Sequence, residues 1–178
     1  MLLAVQKIPT GTEDWKSDFI DFVSHKMDEI LEDYPMDSIT DISKSLFQNR
    51  SEIMGKAALA LIEQKYGHLI NQEYCDCPLC NRRIKAQAEK VRRKIDTLVG
   101  PVALYRPYFY CKACGHGFYP LDDALELSNR RVQSDVQELE AWLGAEMPYE
   151  TAAEALARCA GIKLSNHHTH DVLNEIAN

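Results

Sequence analysis

Apolar residues in the first third of the chain recur at three- and four-residue intervals. Trp15, Phe19, Phe22, Val23, Met27, Ile30 and Leu31 make one stripe, which predicts a helix from Thr12 to Tyr34 with Thr12 as N-cap and Pro35 as its stop. A second helical pattern runs from Asp37 to Gln48 through Ile39, Ile42, Leu46 and Phe47. A third runs from Ser51 to Tyr66, with Gly67 as its terminator. The period then changes. Lys94 to Val99 alternates polar and apolar, Gly100-Pro101 is a turn signal, and Val102 to Tyr110 reads as a return strand. Lys85 to Lys94 is either a basic connection or the start of the first strand. Phe118 and Tyr119 are expected to pack a third strand onto this hairpin. Helical spacing resumes at Ser134-Asp135-Val136-Gln137, which has capping-box form, and continues through Leu139, Trp142 and Leu143 until Pro148. An Ala-rich helix over Glu150–Ala160 ends at Gly161, and Ser165 caps a last helix bearing Val172, Leu173 and Ile176.

The expected fold class is α+β in three units. Residues 1–70 form an acidic helical bundle or dimerisation arm. Residues 71–127 form the β-hairpin unit, and residues 128–178 form a three-helix unit of helix-turn-helix type.

The cysteines give the middle unit its chemistry. Cys77-Pro78-Leu79-Cys80 and Cys111-Lys112-Ala113-Cys114 flank the hairpin, and each pair is followed by a turn-prone residue, Asn81 or Gly115. Two such knuckles present four thiolates to one tetrahedral ion, so a zinc ribbon with a structural Zn²⁺ on Cys77, Cys80, Cys111 and Cys114 is expected. A disulfide or a redox Cys-x-x-Cys is the competing reading, and neither explains a motif repeated around a hairpin. Cys75 lies close enough to compete as a ligand. Four thiolates already close a structural site, which leaves His116 outside the ligand set, and Cys159 reads as buried core among alanines.

Composition bounds the remaining choices. Apolar residues make up 46% and charged residues 26%, as in a globular chain. No apolar run approaches the ~20 residues of a bilayer span, so no membrane partner is expected, and Met1 to Val5 is too short and lacks the basic start for an export signal. Six cysteines without such a signal suit a cytoplasmic protein that binds metal. The net charge of -7 is unevenly placed. Residues 1–76 carry 7 basic against 14 acidic side chains, residues 81–114 carry 9 against 2, and residues 115–178 carry 4 against 11. The hairpin unit alone is therefore basic, and a local patch rather than the total sets phosphate affinity. Double-stranded DNA is the expected partner, held by Arg82, Arg83, Arg92, Arg93 and Lys94, with Asn166, His167 and His170 reaching a groove from the last helix. A solvated hairpin surface is the plainer alternative. The last helix has no Arg or Lys between Asn166 and His170, which weakens guanine reading. Its histidines His167, His168 and His170 form either a neutral face or a second metal site.

These residues also carry a resemblance. Cys77-Pro78-Leu79-Cys80, Leu98 to Val102, Tyr105 to Gly115 and Gly117 to Asp122 resemble the N-terminal region of ISKra-type insertion-sequence transposases. The likeness continues through Leu143 to Glu146, Tyr149, Ala152 to Glu154 and Gly161 to Ser165. It covers about residues 50 to 178. It implies a zinc- and DNA-binding head, which in that family precedes a catalytic domain of RNase H type. That domain would begin where this chain stops, so the resemblance implies a transposase fragment or a stand-alone regulator, not an enzyme. No small-molecule substrate is implied, and the N-terminal helices offer a homodimer contact. The alternative is a structural or protein-interaction module in which DNA binding has been lost.

Overall fold

The computed structural model describes residues 15–162. The expected N-cap Thr12 and the whole last helix, with Asn166, His167, His168 and His170, lie outside the described residues. Mixed helix and sheet is observed in the order α1 (Trp15–Asp33), α2 (Ile39–Ile70), β1 (Tyr74–Asp76), β2 (Arg83–Lys85), β3 (Ala88–Thr97), β4 (Gly100–Cys111) and β5 (His116–Phe118). Then follow α3 (Pro120–Ala124), α4 (Ser134–Glu146) and α5 (Tyr149–Ala155), which ends in a π-helical turn over Leu156–Ala160.

α1 stops two residues before Pro35, as the sequence implies. The two helices expected over 37–48 and 51–66 are instead one 32-residue helix, α2. Ser38 caps it, its side chain accepting from the Asp41 N–H at 3.2 Å. Neither glycine nor proline stands at the expected junction, and Asn49 donates back to the Ser45 carbonyl at 2.9 Å, so nothing there frees the backbone. Gly67 does not end α2 either. The irregularity falls at Tyr66 (φ -120°, ψ 15°), and the helix continues to a cap at Asn71, whose N–H returns to the Gly67 carbonyl.

β3 and β4 pair antiparallel from Thr97↔Gly100 back to Val91↔Arg106, with a bulge between Ala88 and Val91, and β5 adds to the far edge of β4. The connection is the two-residue turn Leu98-Val99. Gly100, expected in the turn, is the first paired residue of the return strand. Its φ of +120° and the Ser51 backbone, which a Cβ would meet at 2.7–3.0 Å, both require glycine. Alternation along β4 sends Val102, Leu104 and Arg106 inward. There Val102 and Leu104 join Ile95 of β3 in a core covered by Ala58, Leu59 and Ile62 of α2 and by Leu125 and Leu127. The helical arm therefore forms one side of the hairpin's core.

β3's outer edge is partly covered. The Asp96 N–H donates to the Arg131 carbonyl at 2.8 Å, and the Gln133 N–H donates to Asp96 O at 3.0 Å, stitching Val132 alongside the strand. Val132, Val136 and Ile162 make a second small core under α4 and the π turn. Ser134 is the first residue of α4 rather than its cap, which is Gln133, and Asp135 accepts from the Leu98 N–H at the hairpin tip at 3.0 Å. α5 is shorter than the expected Glu150–Ala160 helix because its last turn is π-wound, and Gly161 closes it at φ +72°. Cys159, expected in the core, is exposed, and its carbonyl accepts from Arg50 at 3.0 Å.

Candidate metal centre and the basic hairpin face

The two knuckles fold alike because their sequences are alike. Asn81 and Gly115, the residues after each Cys-x-x-Cys, both sit in the left-handed region, at φ 55° and 71°. Each turns its N–H back onto the first cysteine of its pair: Asn81 N–H to Cys77 O at 2.9 Å and Gly115 N–H to Cys111 O at 2.8 Å. Asn and Gly are the residues that reach this conformation at least cost. The first knuckle is framed by the short β1–β2 ladder (Tyr74↔Lys85 to Asp76↔Arg83). The second lies between β4 and β5, where Cys111 pairs with His116.

The ladders bring the knuckles face to face. The Sγ atoms of Cys77, Cys80, Cys111 and Cys114 all lie within 4.8 Å of one another, with Cys77–Cys114 and Cys80–Cys111 each at 3.5 Å. All four are free thiols. A tetrahedral ion with metal–sulfur bonds of ~2.3 Å needs sulfur edges of ~3.8 Å, inside the observed spread. A disulfide would need ~2.05 Å. Cys75 lies outside the cluster on β1, its thiol 3.3 Å from the Asp76 carbonyl, with burial pushing its pKa up. His116 is also outside, its ring stacked on Phe118 at 5.4 Å, and Phe118 stacks on the buried Phe109 at 5.8 Å. Aromatic packing thus supports the second knuckle from beneath.

Electrostatics within the cluster is unequal. The backbone N–H groups of Cys114 and Ala113 aim at Cys111 and lower its pKa to about 6. Burial, together with the neighbouring cysteine sulfurs, pushes Cys114 up to about 12. Cys80 is also raised: the Arg82 N–H favours its thiolate, but Cys111 and burial outweigh that. Four thiols so close cannot all ionise without a cation among them.

The basic residues divide by strand parity. Arg92 and Lys94 project from the exposed side of β3, opposite Tyr105 and Ala103 of β4, and Lys90 is exposed near the strand's start. Arg82 and Arg83 are exposed beside the first knuckle, and Arg83 and Lys85 both lie over the Tyr74 ring, at 5.6 and 5.9 Å. Arg93 does not belong with them. As the residue between Arg92 and Lys94 it points inward, where its guanidinium pairs with Asp122 at 2.6 Å and donates to the Ser128 carbonyl. Its place among the expected phosphate contacts is corrected: its charge is spent inside the protein. Arg106, inward on β4, grips the same carboxylate with two bonds of 2.7 and 2.8 Å. It also donates to Val91 O at 2.9 Å and lies 4.0 Å over the Tyr119 ring. Charge along the sequence does not by itself disclose this Arg93–Asp122–Arg106 cluster. The available signal was parity, since Arg93 stands two residues before the core Ile95 and Arg106 two after Leu104.

No family model matches the chain, and no curated protein matches it either. Among the described residues, no helix is long and apolar enough to cross a membrane.

Proposed function

We propose that this chain is a zinc-dependent module for binding duplex DNA, a reading that its resemblance in sequence pattern to the head of ISKra-type transposases also favours. Cys77, Cys80, Cys111 and Cys114 hold a structural Zn²⁺, because soft thiolates in a tetrahedral set select that ion and close its coordination. A zinc with four thiolates has no open position for water, so this centre shapes a surface and performs no hydrolysis. The cytoplasm, with its reduced thiols, is the fitting compartment.

The observation that carries the DNA reading is the sorting of charge. Arg92 and Lys94 share the open side of the hairpin with Lys90 exposed at the bulge before them, while Asp122 engages both inward arginines, and Arg82, Arg83 and Lys85 continue the patch toward the metal. Phosphate contacts of this kind position a protein on the duplex and weaken with salt at a slope of about -0.9 per phosphate neutralised. Fluorescence anisotropy with zinc-loaded protein and duplex DNA over a salt series tests it. The variant Lys90→Ala/Arg92→Ala/Lys94→Ala should flatten the slope by up to roughly 2.7. Absence of binding at low salt would overturn the reading. The protein-interaction module then takes its place, a reading that the apolar residues left open along α2 also favour.

A further inference from the structure

α2 has three sides, and among the described residues two are packed along their length. Gly55, Ala58, Leu59 and Ile62 face the hairpin sheet, Gly55 so closely that a Cβ would lie 3.0 Å from the Pro101 carbonyl. A second side meets α1, where Glu52 pairs with Lys26 at 2.8 Å and Lys56 lies over the Phe22 ring. At 100° per residue the third side is an arc of about 140° holding Ile39, Ile42, Leu46, Phe47, Met54 and Leu61. All six are exposed, from 37% at Ile42 to 78% at Ile39. Among the described residues this side is open apart from the bond that the Cys159 carbonyl accepts from Arg50.

The arc is also unlike the rest of its domain in charge. Residues 1–76 are strongly acidic, yet between Ile39 and Leu61 this side carries no carboxylate. Its single charged residue is Arg50, which lies over the Phe47 ring at 3.5 Å and donates to the carbonyls of Phe47 and Cys159. A nucleic acid or an acidic peptide would find no free cation there, and the acidic flanks disfavour an anionic bilayer. Charge depletion with Phe and Met is the composition of an interface centre.

We infer that the occupant is a second copy of this chain, joined through α2 about a two-fold axis near Arg50. The stripe from Ile39 to Leu61 is centred on residue 50, so antiparallel pairing sets Ile39 against Leu61 of the partner subunit and Leu46 against Met54 of the partner subunit. Such self-complementarity is what an isologous contact requires. The six side chains expose about 600 Å² between them, at the upper end of the ~300–600 Å² patches found on monomers. Two faces together bury about 1,200 Å², where stable interfaces begin. Area alone does not fix affinity, and a contact at this lower size limit is expected to associate in roughly the micromolar range. This inference does not rest on the DNA reading.

Sedimentation equilibrium of the full zinc-loaded chain from about 1 to 100 µM reads the result directly. The wild type should shift toward twice the chain's mass as concentration rises. Leu46→Glu/Met54→Glu places charge in the contact twice over by symmetry and should weaken the dimer at least roughly 100-fold. Both sites are open in the single chain, so its zinc content and circular dichroism should be unchanged. Trp142→Glu, a more exposed apolar site on α4, should leave the dimer intact. A wild type of single-chain mass throughout would overturn the inference and assign the stripe to cover by the chain's own ends or by another protein. A mass that rises without limit, a double variant that still dimerises, or dissociation by Trp142→Glu would overturn it equally.

Discussion

Asp122→Ala should be among the most damaging single changes in the hairpin unit outside the metal ligands. Its carboxylate is shared by two guanidiniums: Arg106 at 2.7 Å and Arg93 at 2.6 Å. The three side chains are only 12%, 5% and 17% exposed respectively. Arg106 keeps two other contacts, the Val91 carbonyl and the Tyr119 ring, but neither carries a full negative charge. Removing the acid therefore leaves two cations within one poorly solvated site, and breaking a buried pair in this way costs about 3–5 kcal/mol. For a chain of this size that is a fall in Tm of roughly 6–20 °C. The measurement is thermal unfolding of zinc-loaded protein by circular dichroism. A control separates lost charge balance from lost packing: Arg106→Met/Asp122→Leu removes the bidentate pair together and should recover part of the loss. A shift below about 2 °C for Asp122→Ala, or a double variant worse than the single one, would refute the reasoning.

Cys77→Ser, Cys80→Ser, Cys111→Ser or Cys114→Ser should each lower zinc content on metal analysis, whereas Cys75→Ser and Cys159→Ser should not, since neither sulfur is in the cluster. Cys80 and Cys114, whose pKa values are raised, must lose protons to bind metal. Zinc affinity should thus rise with pH, with at least two protons released at pH 7, measurable by calorimetry in buffers of different ionisation heat. Burial raises the Glu63 pKa, Asp18 adds to the effect and Lys56 opposes it. The folded state then holds this proton more tightly than the unfolded one, so the residue's contribution to stability falls as pH climbs above the usual glutamate value. Glu63→Gln should accordingly raise Tm at pH 7 and change it little near pH 4. A lower Tm at pH 7 would contradict that sign.

The local parts of this protein are legible in its sequence because their causes are local. Each Cys-x-x-Cys with Asn81 or Gly115 after it contains its own turn, so the knuckles needed nothing distant to be recognised. Alternation from Val102 to Arg106 and three-four spacing from Trp15 to Ile30 likewise express one inward side each, whereas the buried parity of β4 switches at Pro107 and Leu31 is exposed. Tertiary structure decided what those sides meet. The run from Ile39 to Ile70 reads as two helices when Ser51 is taken as a new start, but the sheet and α1 pack along its length and hold it as one. Arg92, Arg93 and Lys94 look interchangeable in the sequence, and the β3–β4 register makes one of them structural and two of them available. Asp122 is distant in sequence from Arg93 and near in space, a pairing only the fold creates. Spacing specifies a turn or a strand because the backbone responds within a few residues, whereas the partner of a charge depends on where the whole chain brings the opposite one.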